Sequence, residues 1–269
     1  MRKTQDLLDT ARDTLASHPI LWPPALTVIL LQDAMFPMAA QGGSPAQALA
    51  GFCALLGAVL VGAGWLAMIG RALRGGGPTF RDFADGVNAR WGSILLGTLC
   101  FWAVIAGLAG LAYAQGTRTY GLEALTTWFT ALVKLGPEAQ QAALDPARIP
   151  AAVVGWVYLA TAWLVAATAL HGLLLFWQPL VVLQGLGWLK AWAGSIGLVF
   201  RRFGQVVAVG LLFGVSMVGA RFLIATMHPL LAMVGVACHI VTVTYFTVVF
   251  AAVVEDEWPA HAPTTDTHA

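Results

Sequence analysis

Long intervals without a charged residue constrain this chain more than any motif in it. Asp, Glu, Lys and Arg are absent between Asp33 and Arg71, between Arg90 and Arg118, and between Arg148 and Lys190. They are absent again from Arg202 to Arg221 and from Arg221 to Glu255. A helix that crosses a bilayer needs about 20 predominantly apolar residues. Six runs meet that need, near 20–38, 49–70, 92–114, 151–177, 204–226 and 230–253. The runs are continuously apolar and do not alternate, which argues against a lipid-facing β-barrel. Helices satisfy their own backbone groups in lipid, so such runs resolve as helices. Composition agrees: 59% of the 269 residues are hydrophobic and 10% charged, against about a quarter charged in soluble domains. Mean hydropathy is +0.77. The expected fold class is all-α, a polytopic membrane protein with about six transmembrane helices arranged as three hairpins. A single transmembrane domain over 1–254 precedes an acidic tail, 255–269, expected to be disordered. The fourth run is expected to kink or end near Pro179, which removes a backbone donor.

Placement of Lys and Arg sets orientation. Six spans put both termini on one side, together with segments 71–91 and 185–203. That side collects Arg2, Lys3, Arg12, Arg71, Arg74, Arg81, Arg90, Lys190, Arg201 and Arg202. The opposite side has Arg118, Lys134 and Arg148. The positive-inside rule then places both termini in the cytoplasm, and the expected location is a bacterial inner membrane. The first run starts only near Ile20, follows a mixed-charge segment and contains Asp33, which does not fit a cleaved signal peptide. A formal net charge of +1 leaves no electrostatic footprint for nucleic acid. Cys53, Cys100 and Cys238 all fall within spans without paired spacing, so neither a disulfide framework nor a zinc site is indicated.

The segments that enter the runs look interfacial. Phe80, Phe83, Val87 and Trp91 recur at helical spacing, with Arg81, Asp82, Asp85 and Arg90 on the other side. This pattern predicts an amphipathic surface helix before the third span. Trp188, Trp192, Ile196, Val199 and Phe203 repeat it before the fifth, with Lys190, Arg201 and Arg202 near its ends. An offset of 112 residues superposes Phe80 on Trp192, Val87 on Val199, Arg90 on Arg202 and Trp91 on Phe203. An offset of 72 brings in Leu8, Ala11 and Leu15 before His18-Pro19. Three units, each an amphipathic helix followed by a hairpin, account for these matches. A further surface helix is expected in the long external loop, with Leu122, Leu125, Phe129, Leu132 and Val133 on one face. Gly75-Gly76-Gly77-Pro78 reads as a flexible joint.

Three segments carry a resemblance. They are Ser17-His18-Pro19-Ile20-Leu21-Trp22-Pro23-Pro24, Arg90-Trp91-Gly92-Ser93-Ile94-Leu95, and Tyr245-Phe246-Thr247-Val248-Val249-Phe250 ahead of an acidic stretch. The pattern resembles bacterial six-helix membrane proteins of unknown function, including the family labelled as a glycerophosphoryl diester phosphodiesterase membrane domain. The resemblance implies the six-helix architecture and transfers no catalytic residue.

Chemistry-bearing motifs are absent. No P-loop, G-x-S-x-G, H-E-x-x-H or C-x-x-C occurs. Gly62-Ala63-Gly64-Trp65-Leu66-Ala67 fits G-x-G-x-x-A but lies within a span, where small residues serve helix packing. Gly210 and Gly214 form a GxxxG, read as a contact within the chain. No metal or cofactor is expected, and no enzymatic activity, because no nucleophile–base pair is legible. Asp33 and Arg221 are the only charges inside spans, each ~7–8 Å from the outer boundary at 1.5 Å per residue. An intramembrane charge is costly and faces a partner or a wet cavity. Asp33 and Arg221, with Gln32 nearby, are therefore the candidate binding residues, read first as an ion pair that fixes helix order. Phe80, Phe83, Trp91, Trp188, Trp192 and Phe203 are the candidate interfacial anchors.

Two function classes follow. One is a non-catalytic scaffold or accessory component whose partners are membrane lipids, other membrane proteins or a second copy of the chain. The other is a carrier of a small or amphipathic solute, with Asp33 and Arg221 lining an outward cavity. A nearly bare midplane favours the first, since carriers usually place polar groups there. Direct pairing predicts that the D33R/R221D double variant recovers the thermal stability lost by D33R or R221D alone. A double variant no better than either single variant contradicts the pairing.

Overall fold

The computed structural model describes residues 2–40, 44–136, 139–140, 143–145, 149–226 and 228–258, with the backbone alone for 33–40. The described residues are overwhelmingly helical, and none forms a strand. In chain order the helices are α1 (Thr4–Ser17), α2 (Trp22–Ala40), α3 (Pro45–Leu73), α4 (Phe80–Tyr120) and α5 (Leu122–Val133). They continue as α6 (Ala151–Leu173), α7 (Trp177–Gln184), α8 (Trp188–Arg201), α9 (Phe203–Ala225) and α10 (Pro229–Glu257). Among the described residues, five helices are long and apolar enough to cross a membrane. The number is six if α1 and the segment Pro19–Gln32, bent by 96° at His18, count as one span.

Each helix begins or ends where its residues dictate. The short 3-10 turn Pro19–Leu21 separates α1 from α2, since Pro19 cannot donate into a continuing helix. Pro45 occupies the first turn of α3, where its missing N–H costs nothing, and Ser44 with Gln47 forms a capping box. Thr79 and Asp82 cap α4: the Thr79 N–H and hydroxyl donate to Asp82 at 2.8 and 2.7 Å. From there α4 runs unbroken for 41 residues. No break separates the amphipathic stretch from the apolar run 92–114, because no proline interrupts the helical period. The second amphipathic stretch is separate, because the chain turns at Arg202 (φ −113°, ψ 27°) between α8 and α9. The glycine run after α3 is a hydrogen-bonded turn, with Gly75 N–H to Ala72 O at 2.9 Å and Gly76 N–H to Arg71 O at 3.0 Å.

Two compact units divide the chain, one made of 1–98 with 173–269, the other of 99–172. The core of the first unit lies at one end of its helices. It contains Ala11 and Leu15 of α1, Leu21, Ala25 and Val28 at the start of α2, and Trp65, Met68, Ile69 and Ala72 at the end of α3. Val209 of α9 and Phe246, Val248, Val249 and Ala251 of α10 complete it. Leu7, Ala11 and Leu15 share the buried face of α1, and the Tyr245 hydroxyl donates to Leu8 O at 2.8 Å. The opposite stretch of α9 stays uncovered: Leu211, Val215, Val218 and Phe222 form an exposed stripe along it. A close helix contact in that region is at Gly235, where a Cβ would overlap the α9 backbone at Ile224. A Cβ added at Gly210 or Gly214 would meet nothing within 4 Å, so the expected contact at that GxxxG is absent among the described residues. The close approach falls instead on the α9–α10 hairpin.

In the second unit, Trp156 donates from Nε1 to Gly121 O at 3.0 Å, and its ring lies against Gly116. Gly121 has φ 74°, a left-handed turn that glycine adopts without strain. Trp163 Nε1 donates to Ile105 O at 3.4 Å. The expected loop helix is present as α5, and it buries no residue.

The break in the fourth apolar run falls at Leu174–Phe176, just before Pro179. Proline at position 179 cannot donate to Leu175 four residues back, and its ring crowds that carbonyl. Ser195 of α8 serves the backbone groups at the break. Its fully buried Oγ accepts from Phe176 N–H at 3.0 Å and donates to Leu173 O at 2.9 Å. A Ser195→Ala variant strands both groups, at a cost of about 1–3 kcal/mol for a buried unsatisfied group. Its thermal midpoint in detergent is expected to fall by several degrees, and an unchanged midpoint contradicts this role for Ser195.

Candidate functional site

Charge in the first unit gathers around the last turn of α10. Glu255, Asp256 and Glu257 extend the helix beyond its last apolar residue, Val254, where the sequence reading begins its acidic tail. Residues 259–269 lie outside the described residues. Three carboxylates at a helix C-terminus oppose the macrodipole, whose negative end lies there. Arginines offset that cost. Arg202 is 2% exposed and donates to Asp256 at 2.7 Å and to Glu257 at 2.9 Å. Arg201 meets Glu257 at 2.9 Å and covers the Trp258 ring at 5.0 Å. Arg74, just past the end of α3, meets Glu255 at 2.6 Å. The Arg2 N–H donates to Asp256 at 3.2 Å, and Gln205 Nε2 donates to Arg2 O at 2.7 Å. Gln184, ending α7, donates to Trp258 O at 2.7 Å. The ends of α3, α7 and α8, the start of α9 and the N-terminal segment thus meet one acidic turn.

Desolvation alone would push the Asp256 carboxyl up. The hydrogen bonds from Arg202 and the Arg2 N–H, with the Arg202 charge, outweigh it and hold Asp256 below its ordinary value of 3.8.

Beside this turn a cavity of about 290 Å³ opens between the end of α3, the start of α4 and α7. Arg71, Arg74, Arg90, Asp82 and Asp85 bring charge to it, and Ala67, Val182 and Leu183 form its apolar wall. Close packing of α3 on α4 shapes it. Gly64 receives the Phe83 ring, and a Cβ at Gly86 would overlap Ala67. Hydrogen bonds from Thr79, side chain first and backbone second, hold the Asp82 carboxyl below its ordinary range, and the Arg71 charge adds to this.

The sequence-derived candidates are spread across the molecule. Gln32 is exposed on α2, and the Asp33 side chain lies outside the described residues. Arg221 is exposed on α9. Phe80, Trp91 and Phe203 are exposed. Phe83 is half-buried against the core. Trp188 and Trp192 meet edge to face at 5.4 Å, and the Trp192 Nε1 is buried without a hydrogen-bond partner. Of the positions matched by the 112-residue offset, Arg90 lies mid-helix beside the cavity, while Arg202 is buried at a helix break. Among the described residues no group of three or more His, Cys, Asp or Glu could hold a metal. The acidic turn and the arginine cavity went unnoticed in the sequence. Their signal was the run Glu255-Asp256-Glu257 directly after an apolar stretch, with arginines at three helix borders.

A family model described as a domain of unknown function, DUF7847, matches residues 1–260. The chain belongs to this family. The match takes in all described residues, including the acidic turn and the cavity. No curated protein matches the chain, and no solved structure does.

Removing one partner of a buried ion pair costs about 3–5 kcal/mol, whereas an exposed pair is worth about 0–1 kcal/mol. Arg202→Gln is therefore expected to lower the thermal midpoint far more than Arg201→Gln, whose side chain is 52% exposed. Asp256 adds a pH signature. A carboxyl whose folded pKa is depressed contributes stability above its unfolded value and loses it as pH falls through the folded one. The wild-type midpoint should therefore drop on acidification below 3.8, and R202Q should show a smaller drop. Equal effects of the two substitutions contradict the assignment.

Proposed function

We propose that the chain is an integral membrane protein that acts as a non-catalytic scaffold or accessory component, binding membrane lipid or membrane partners. The observation that carries this reading is the distribution of surface. Leu211, Val215, Val218 and Phe222 on α9, and Leu230, Met233 and Val241 on α10, are exposed apolar side chains on helices long enough to cross a bilayer. A water-soluble protein rarely exposes contiguous apolar area on this scale. Charge collects at the other end of these helices, around Arg202 and the acidic turn.

In this reading α2 is the first of six spans that form three hairpins, α1 and α8 lie at the cytoplasmic face, and both termini are cytoplasmic. Phe203, Trp91 and Phe80 serve as anchors at the boundary, where aromatic residues are enriched. The location is the inner membrane of a bacterium. The lack of a legible nucleophile–base pair supports a non-catalytic role.

Fractionation and reporter fusions test this. The chain should stay with membranes after carbonate extraction. A fluorescent protein fused after Ala269 should fluoresce, while alkaline phosphatase at the same position should be inactive. Extraction of the chain into the soluble fraction contradicts membrane insertion. An active phosphatase fusion contradicts the orientation.

A further inference from the structure

The charged groups of the cavity between α3, α4 and α7 are unequally committed. Arg74 is taken by Glu255 at 2.6 Å. Asp85 faces Arg81 at 3.8 Å, and Asp82 accepts from Thr79. Arg71 acts on Asp82 through its charge. Neither Arg71 nor Arg90 makes a side-chain hydrogen bond or salt bridge with a described residue, yet both line the cavity.

The Arg71 side chain lies against Gly76, and the Arg90 guanidinium lies against Gly185, where an added Cβ would overlap it. Gly185 has φ 68° and ends α7 in the left-handed conformation, which favours glycine there. Two guanidinium groups on one cavity, neither bonded to a described carboxylate, leave N–H donors to offer an anion from outside the chain. Guanidinium presents a planar fork that matches phosphate oxygens bidentately. The apolar wall of Ala67, Val182 and Leu183 suits a ligand with a hydrocarbon portion.

We propose that Arg71 and Arg90 together bind a phosphate group, with an anionic phospholipid as the source that the apolar wall favours. Basic pockets between helices at the cytoplasmic side are where lipid head groups are recognised. A volume of about 290 Å³ lies just under the ~300–1,000 Å³ of small-molecule sites. It admits a head group and the first carbons of a lipid along the apolar wall, with the rest of the acyl chains outside. The proposal rests on the membrane reading above and adds to it a site and a ligand class.

The test uses the full chain, delipidated in detergent and read by native mass spectrometry. The probes are phosphatidylglycerol, phosphatidylcholine with the same acyl chains, and inorganic phosphate. Phosphatidylglycerol should bind about tenfold more tightly than phosphatidylcholine, a difference of about 1.4 kcal/mol. R71Q/R90Q should lose that preference, R71K/R90K should keep part of it through charge alone, and K134Q should leave it intact. Displacement of phosphatidylglycerol by inorganic phosphate would show that the phosphate group suffices. Arginine-dependent binding without displacement would assign the site to the lipid. If R71Q/R90Q does not purify folded, R90Q alone carries the same comparison. Equal binding of the two lipids by the wild type, or an undiminished preference in R71Q/R90Q or R90Q, overturns the proposal. A chain that fails to enter membranes defeats the membrane reading at fractionation. An inserted chain indifferent to head group defeats only the pocket.

Discussion

The arrangement of the first unit depends on one buried arginine facing two carboxylates. Arg202 stands where α8 turns into α9 and reaches Asp256 and Glu257 in the last turn of α10. Burying such a group is expensive, and its attraction to a carboxylate repays the cost only with good geometry and saturated hydrogen bonds. Here further partners join: Gln205 accepts from Arg202 at 3.4 Å, and Arg2 and Arg201 reach the same two acids. An arrangement this specific tolerates few alternatives. It sets where α8 must stop, how α9 leaves it, and how far α10 must run past its apolar residues.

The core and the cavity follow from that fixed end. With α10 held there, α1 lays Leu7, Ala11 and Leu15 across its base, and Phe250 meets both Phe176 and Phe213 in edge-to-face contacts at 5.8 and 6.3 Å. Arg74 engages Glu255 and brings the end of α3 to the same place, with Arg71 and Arg90 lining the cavity beside it. Away from this end, apolar side chains remain uncovered. On the proposed membrane reading lipid covers them, and lipid supplies no hydrophobic drive for helices to associate. Polar contacts at one end and close backbone approaches such as Gly235 on α9 then carry the burden of order.

Much of the helical framework was legible because charge is scarce. The runs at 151–177 and 230–253 fall within two residues of the starts of α6 and α10, since Pro150 and Pro229 mark those borders. The 92–114 run underestimates α4, because an amphipathic stretch and an apolar stretch share one helical period and join without a breaker. Pro179 warned of a break, yet the break lies before it, where the ring would meet the preceding turn. Ser195 was invisible as a clamp: a single serine in an amphipathic helix has no pattern, and only the tertiary fold brings it to Leu173. The acidic turn was hidden for a related reason. Three consecutive acids after an apolar run read as a solvated tail until the arginines of distant helix borders are seen to converge on them. Asp33 and Arg221 drew notice by being out of place, while the residues that organise the first unit lay at borders where charge is expected.

Hydrogen–deuterium exchange on the intact chain in lipid nanodiscs tests most directly whether the acidic turn holds these ends together. The account predicts that amides of Thr4–Ser17 and of residues 245–257 exchange as slowly as those of residues 65–72, and that all three speed up together in an Asp256→Asn, Glu257→Gln variant. Fast exchange of α1 in the wild type, or acceleration in the variant confined to residues 255–258, would contradict it.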